Sequence, residues 1–300
     1  MPVRTVPLAV APPFDLHLCI HGHGWYALAP HRFDDATTTL HTVLSLGKRA
    51  VDATLHQQDA ATLALRLTAA TTLTAKDGNL AAQQLRHMLR LDDDLTAFHA
   101  MCTKDQGLRW AARRDAGRLM RSATVFEDLM KLLFTTNTSW SATESMTRNL
   151  VAAAGSAAPS GERAFPNPRQ CLRDEAFFRD VVRVGYRAEA ALALARGFVD
   201  GTLTDHQFLA PQPTDELWER LLALRGFGPY AAGQAMRLCG HYDRLALDSW
   251  CRARLAAMAG KQTQPADRTV ERRYARWAPF QGLALWLDLT ADWHGEKTLR

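Results

Sequence analysis

Residues 221–255, LLALRGFGPYAAGQAMRLCGHYDRLALDSWCRARL, constrain the fold of this chain more than any other stretch. A helix-forming segment runs into a tight turn carrying Gly226 and Gly228. Pro229 follows, and a helix of small residues, YAAGQAMRL, begins at once. Glycine at 226 and 228 admits positive φ and leaves no Cβ in the way of a close neighbour. Pro229 suits the first position of the second helix, where its missing N–H costs nothing. The N–H groups exposed at such a turn and helix start can receive a phosphate. A short apolar run, LAL, then ends in Asp248 at the head of another helical segment. Aspartate is a favoured N-cap, so Asp248 has a structural reason to be there whatever else it does.

The rest of the chain sets bounds on the architecture. At 300 residues and 47% hydrophobic it can bury a core in one large domain or two to three small ones. A formal net charge of +5 suits a polyanionic partner without requiring one. The five cysteines, Cys19, Cys102, Cys171, Cys239 and Cys251, are scattered and form no CxxC pair, which fits a reducing compartment. No apolar run reaches membrane-spanning length, and the N-terminus has no basic-then-apolar signal, so a soluble cytoplasmic protein without a membrane partner is expected.

The patterning divides the chain near residue 92. Before it, TLHTVLSL, AVDATLHQ and TLALRLTA alternate in the manner of strands, and LAAQQLRHMLRL (80–91) reads as an amphipathic helix. After it, apolar residues recur every three to four positions in 124–134, 142–154, 177–183, 187–199, 215–224, 230–238, 248–258 and 282–293. Residues 153–168 read as a loop and 201–214 as a linker, with Thr214 placed to cap the next helix. The expected fold is mostly α with an N-terminal antiparallel sheet (α+β): a sheet domain over 1–92 and a helical body over 93–300, with the glycine hairpin at about 215–240.

The helix–hairpin–helix followed by Asp248 resembles the helix-hairpin-helix DNA glycosylase superfamily with a Gly/Pro-rich loop (HhH-GPD), in its 3-methyladenine (alkyladenine) and 8-oxoguanine branches. Two further segments carry the resemblance in the right order: GRLMRSATVFEDLMKLLFTTNTSW (117–140), which leads to an Asn-bearing turn, and VGYRAEAALALA (184–195). The similarity covers about residues 90–295. It implies two helical subdomains flanking an active-site cleft, double-stranded DNA containing a damaged or modified base as partner, and a monomer.

On that resemblance Asp248 is the catalytic carboxylate, stabilising the oxocarbenium-like transition state of N-glycosidic cleavage. The position that carries a Schiff-base lysine in bifunctional relatives holds Tyr230, and the nearest downstream lysine is Lys261. The expectation is a monofunctional glycosylase that leaves an abasic site, with alkylated purine the first substrate and a bulky modified base a further one. Tyr230, Gln234, Trp286 and Leu285 are candidates for the base pocket, with Trp293 and Phe280 beside them; Leu285 stands where the 8-oxoguanine branch reads its base with Gln. Gly226, Phe227, Gly228 and Tyr230 are the hairpin's DNA-contacting residues. Asn137 is expected to face the orphaned base, Tyr186 to wedge into the stack, and Arg187 to reach a phosphate or base edge. Trp250 replaces a phosphate-contacting His. The carbonyls of Leu222, Leu224 and Phe227 match those that hold Na⁺ or K⁺ in relatives. No cofactor is required, and the cysteines of an iron–sulfur cluster are missing. An 8-oxoguanine-type enzyme and a non-catalytic DNA binder are the alternatives.

One pattern stands apart. His17, Cys19, His21 and His23 alternate in LHLCIHGHGWY and would share one face of a strand, a metal-site pattern. Same-face residues diverge along a strand, however, and Gly22 and Gly24 point to a turn. The segment reads as the first strand of the N-terminal sheet, without zinc.

Overall fold

The structure, a computed structural model, describes residues 1–296. The chain opens with β1 (Val3–Ala9) and α1 (Leu16–His21), then β2 (Arg32–Asp34), β3 (Thr39–Leu46), β4 (Arg49–Asp59) and β5 (Thr62–Thr68). The strands form one antiparallel sheet in the order β1-β5-β4-β3-β2. Its register puts Leu63, Leu65 and Leu67 of β5 on the same face as Val51, Ala53 and Leu55 of β4. That face buries against α2 (Ala75–Leu89) through Ala81, Leu85, Met88 and Leu89. Thr74 and Asp77 close a capping box at the start of α2, which satisfies its first N–H groups and fixes where the chain leaves the sheet.

The segment read as a first strand is a helix. Asp15 caps it by accepting from Leu18 N at 2.9 Å, and Leu16, Cys19 and Ile20 bury into the sheet's core at helical spacing. The alternation of histidines concealed this i, i+3, i+4 apolar face. The first strand lies earlier, at Val3–Ala9.

The chain then runs through α3 (Thr96–Cys102), α4 (Arg109–Arg113), α5 (Val125–Thr135), α6 (Trp140–Ala154) and the four-residue α7 (Pro168–Cys171). A π-helical turn (Phe177–Val182) and a 3₁₀ turn (Gly185–Arg187) lead into α8 (Ala188–Asp200), followed by α9 (Asp205–Leu209) inside the stretch read as a linker. The remainder is α10 (Thr214–Leu222), α11 (Pro229–Cys239), α12 (Ser249–Met258), α13 (Asp267–Tyr274), α14 (Gln281–Thr290) and a final 3₁₀ turn (Ala291–His294).

These elements form two compact units. The first comprises Met1–Asp92, Arg118–Phe208 and Leu224–Gly226; the second comprises Asp93–Gly117, Leu209–Ala223 and Phe227 onward. The chain leaves the first unit after Asp92, and residues 118–208 return to group with the sheet.

In the first unit, α5 is buried along its length and carries charge inside. Lys131 donates to Glu127 at 2.7 Å and to Ser122 at 3.3 Å, and Trp25 Nε1 donates to Asp128 at 2.7 Å. His31 Nδ1 lies 2.8 Å from Thr42 Oγ1, and its Nε2 lies 3.6 Å from Glu127 Oε1. Burial, with Lys131 adding to it, holds the His31 pKa well below the usual histidine value. Burial also raises the Glu127 and Asp128 carboxyls.

Candidate functional site

The two glycines of the hairpin do different work. Gly226 has φ +82°, and a Cβ there would lie 2.8 Å from Leu133 Cδ1 and 3.2 Å from Ala190 Cβ. It is required by the fold of the first unit. Gly228 is the N-cap of α11, with φ −105° and nothing within 4 Å of an added Cβ. Pro229 occupies the first turn of α11 as the sequence suggested. Gly226 and Gly228 are exposed and Phe227 is buried. Leu222, exposed, ends α10, and Leu224 is half-buried. Thr214 does not cap α10: it is the helix's first residue, after Pro213, and its Oγ1 lies 3.2 Å from His241 Nδ1.

In the second unit two helices grip the segment leading to Asp248. A Cβ on Gly233 of α11 would lie 2.7 Å from Ala246 Cβ, and one on Gly282 of α14 would lie 2.2 Å from Arg244 O. Gly282 N also donates to Tyr242 O at 2.5 Å. Ala246 takes φ +52°, so the chain turns sharply where it is gripped. Arg237, fully buried, ties the same segment to α11 by donating to Leu245 O at 3.2 Å and to Gln234 Oε1 at 3.0 Å. Desolvation lowers the Arg237 pKa, opposed by Cys251, Tyr230, Tyr242 and Asp248. Asp248 caps α12, its Oδ1 accepting from Cys251 N at 2.7 Å. The Cys251 thiol is pushed up to about 12 by burial and then by the Asp248 carboxylate. Asp248 itself is half-exposed. Its carboxylate is therefore fixed by a backbone donor on a residue that is only partly buried.

Trp250, two residues on, joins Trp286 and Trp293 in a cluster with centroid separations of 6.0, 5.9 and 5.7 Å. Trp250 and Trp293 are 41% and 43% exposed and Trp286 is buried, so the cluster shows aromatic surface to solvent. Arg254 holds α12 to the end of α14 by donating to Leu289 O at 3.1 Å and pairing with Asp292 at 2.5 Å. The buried Arg237 guanidinium lies 4.9 Å from the Trp286 ring centre. Of the other pocket candidates, Tyr230 is half-buried at the start of α11 and Gln234 is buried as the acceptor of Arg237. Leu285 is fully buried in α14 and offers no surface to a ligand. Phe280, half-buried, packs 5.5 Å from Phe98 and 6.1 Å from Tyr242.

The first unit presents the other candidates. Asn137 is exposed with φ +47°, in the turn between α5 and α6. Tyr186 is 72% exposed. Arg187 is buried, not free for a phosphate or base edge. Its Nε donates to Thr136 Oγ1 at 3.1 Å, and its guanidinium also reaches Val184 O at 3.1 Å, Asn137 O at 3.3 Å and Thr136 O. It stacks 4.5 Å from the Tyr186 ring. One buried guanidinium thus holds both the Asn137 turn and the exposed tyrosine.

The sequence reading did not single out Arg237, Gly233, Gly282 or Cys251. An arginine three residues after Gln234, inside the small-residue helix AAGQAMRL, was the available signal: an arginine on a buried helix face needs partners.

No family model matches the sequence, and no curated protein matches it. The structure does have relatives among solved structures. A 3-methyladenine DNA glycosylase from Archaeoglobus fulgidus superposes with a TM-score of 0.72 at 18% identity, covering 95% of this chain and 98% of that one. MBOgg1 in complex with a low affinity DNA ligand gives a TM-score of 0.74 at 17% identity, covering 97% and 96%. The Clostridium acetobutylicum 8-oxoguanine glycosylase/lyase in its apo form gives 0.65 at 13%, covering 89% and 93%. The chain therefore has the fold of these DNA glycosylases, α+β with an antiparallel sheet among helices, over nearly its whole length.

Proposed function

We propose that this chain is a DNA N-glycosylase that works without a lysine nucleophile, excises a modified base from double-stranded DNA and leaves an abasic site. The observation that carries the reading is Asp248: a half-exposed carboxylate that caps α12, at the end of a segment packed at Arg244 and Ala246 against Gly282 and Gly233, and two residues before Trp250 of a partly exposed tryptophan cluster. A carboxylate so fixed can stabilise positive charge developing on a deoxyribose and orient an attacking water. The tryptophans can stack on a base taken out of the helix. Tyr230 stands where an amine would be needed for strand cleavage, and a phenol cannot form a Schiff base. Gly228 and the start of α11 take a phosphate, and Asn137 and Tyr186 occupy the gap left in the duplex. The carbonyls of Leu222, Leu224 and Phe227 hold a monovalent cation in this scheme. The fold shared with glycosylases described for 3-methyladenine and for 8-oxoguanine supports the reaction class. The aromatic cluster and the buried Leu285, in place of a base-reading amide, favour an alkylated purine.

The test is a panel of labelled duplexes, each carrying one base: 3-methyladenine, 1,N6-ethenoadenine, hypoxanthine, uracil, 8-oxoguanine, or hydroxymethylated or glucosylated cytosine. Products are split into alkali-treated and untreated halves. Breaks only after alkali identify the substrate and a hydrolytic enzyme. Breaks without alkali overturn the Tyr230 argument, and binding without any break favours a DNA binder.

A further inference from the structure

The helix that replaces the expected first strand changes what its histidines can do. In α1, His17 and His21 are one turn apart and point the same way, their rings stacked at 4.1 Å. Cys19 and His23 leave the group: the Cys19 thiol is buried and donates to Leu89 O at 3.4 Å, and His23 is buried 4.4 Å from Trp25. Asp35, at the start of the turn between β2 and β3, takes their place. Its Oδ1 lies 3.3 Å from His17 Nε2 and 3.3 Å from His21 Nε2.

Two features of this cluster suit a metal ion. The first is protonation geometry. His21 Nδ1 lies 3.1 Å from His17 O; a carbonyl only accepts, so Nδ1 carries the proton and the neutral ring offers the Nε2 lone pair. That lone pair faces a carboxylate oxygen, and a cation placed between them would satisfy both. A metal-bound histidine is held in this same way, by its other N–H donating to a backbone carbonyl. The second is distance. Zinc bonds of about 2.0–2.1 Å at the tetrahedral angle place ligand atoms about 3.3–3.4 Å apart, and both nitrogen–oxygen separations are 3.3 Å. All three ligand atoms lie within 4.8 Å of one another. Phe33 closes the side of the site, edge-on to both rings, and Tyr26 lies 4.5 Å from His21.

We propose that His17, His21 and Asp35 bind one divalent ion of the zinc class, with water in the fourth position, and that the ion clasps the β2–β3 turn to α1. The set of two imidazoles and one carboxylate suits zinc or cobalt and would bind magnesium or calcium poorly. The site belongs to the first unit and shares no residue with the Asp248 site, so it stands or falls independently of the glycosylase reading.

The full chain, stripped with a chelator, is titrated with Zn²⁺ against a chromophoric competitor and separately with Co²⁺, whose visible spectrum reports tetrahedral binding. One equivalent per chain is expected. His17→Ala and Asp35→Asn, both at exposed side chains and each checked for native circular dichroism, should weaken it about tenfold or more. Zn²⁺ should raise the melting temperature of the wild type more than that of either variant at the same concentration. Failure of the wild type to take up metal saturably in the micromolar range overturns the proposal. So does equal uptake by both variants, which would locate binding at other histidines or the thiols.

Discussion

A Cβ added at Gly226 meets Leu133 and Ala190, whereas one added at Gly228, where the proposed function puts a phosphate, meets nothing. Replacing Gly226 with alanine forces a side chain into positive φ, at about 1–2 kcal/mol. It also drives a Cβ to 2.8 Å from Leu133 Cδ1 and 3.2 Å from Ala190 Cβ, where overpacking adds about 1–3 kcal/mol. The combined cost is about 2–5 kcal/mol. Replacing Gly228 meets nothing. Alanine is a poorer N-cap than glycine but restricts the unfolded chain more, so the net change in stability should stay within about 1 kcal/mol. An added methyl there does stand where a phosphate would approach the start of α11, and losing a hydrogen bond to a charged group at about 1.5–3 kcal/mol corresponds to about tenfold or more in affinity. Urea unfolding and fluorescence anisotropy on matched duplexes read the two effects. Gly226→Ala should lose stability; Gly228→Ala should keep it and bind every duplex more weakly to the same extent. Unchanged binding by Gly228→Ala, or a loss confined to one modified base, would refute the phosphate-grip reasoning. Full stability in Gly226→Ala would refute the packing argument.

Two other perturbations follow from buried groups in the first unit. Arg187→Ala should leave the slope of log affinity against log salt unchanged, because the guanidinium is spent on the Thr136, Asn137 and Val184 carbonyls, whereas removing a phosphate contact lowers that slope by about one. The same variant should make the 136–138 turn more sensitive to proteolysis, and Lys at 187 should not restore it, since one ammonium cannot span those acceptors. His31 is held neutral by burial. The unfolded chain protonates this histidine as pH falls past about 6.5 while the folded chain does not. The stability His31 confers above pH 6.5 is therefore lost toward lower pH, at up to about 1.4 kcal/mol per pH unit. Denaturant unfolding between pH 7.5 and 5.5 should show this slope in the wild type and a shallower one in His31→Gln; equal slopes would refute the assignment.

What was legible in the sequence was what repeats locally. Leu63, Leu65 and Leu67 of β5 alternate, as do Val51, Ala53 and Leu55 of β4, and the helices carry regular apolar stripes, so most elements lie where the pattern put them. Residues 16–21 misled because their polar alternation was more conspicuous than the Leu16, Cys19, Ile20 stripe and the Asp15 cap. Thr214 misled because Pro213, itself unable to cap with a side chain, ends the preceding loop. The two units interleave three segments each, which no local pattern can reveal. Among the candidate site residues, Asp248 was singled out by its place after the hairpin. The grip of Gly233, Gly282 and Arg237 on the preceding segment, 242–246, was not legible, since it depends on which backbones approach one another. Arg187 was expected outside and lies inside because the turn after α5 leaves carbonyls that need a buried donor.

The most direct test is single-turnover excision by Asp248→Asn, run with the wild type on whichever duplex the panel identifies. Asparagine caps a helix as well as aspartate does, so the bond to Cys251 N and the melting temperature should persist, and DNA affinity should be retained. Only the negative charge is removed. At about 4 Å and an effective dielectric near 20, a charge pair is worth about 4 kcal/mol, so excision should fall by roughly 10²-fold or more. A variant that folds and binds but excises at that reduced rate supports Asp248 as the group that meets the developing charge. A variant that excises at the wild-type rate contradicts it and leaves Asp248 as a helix cap alone.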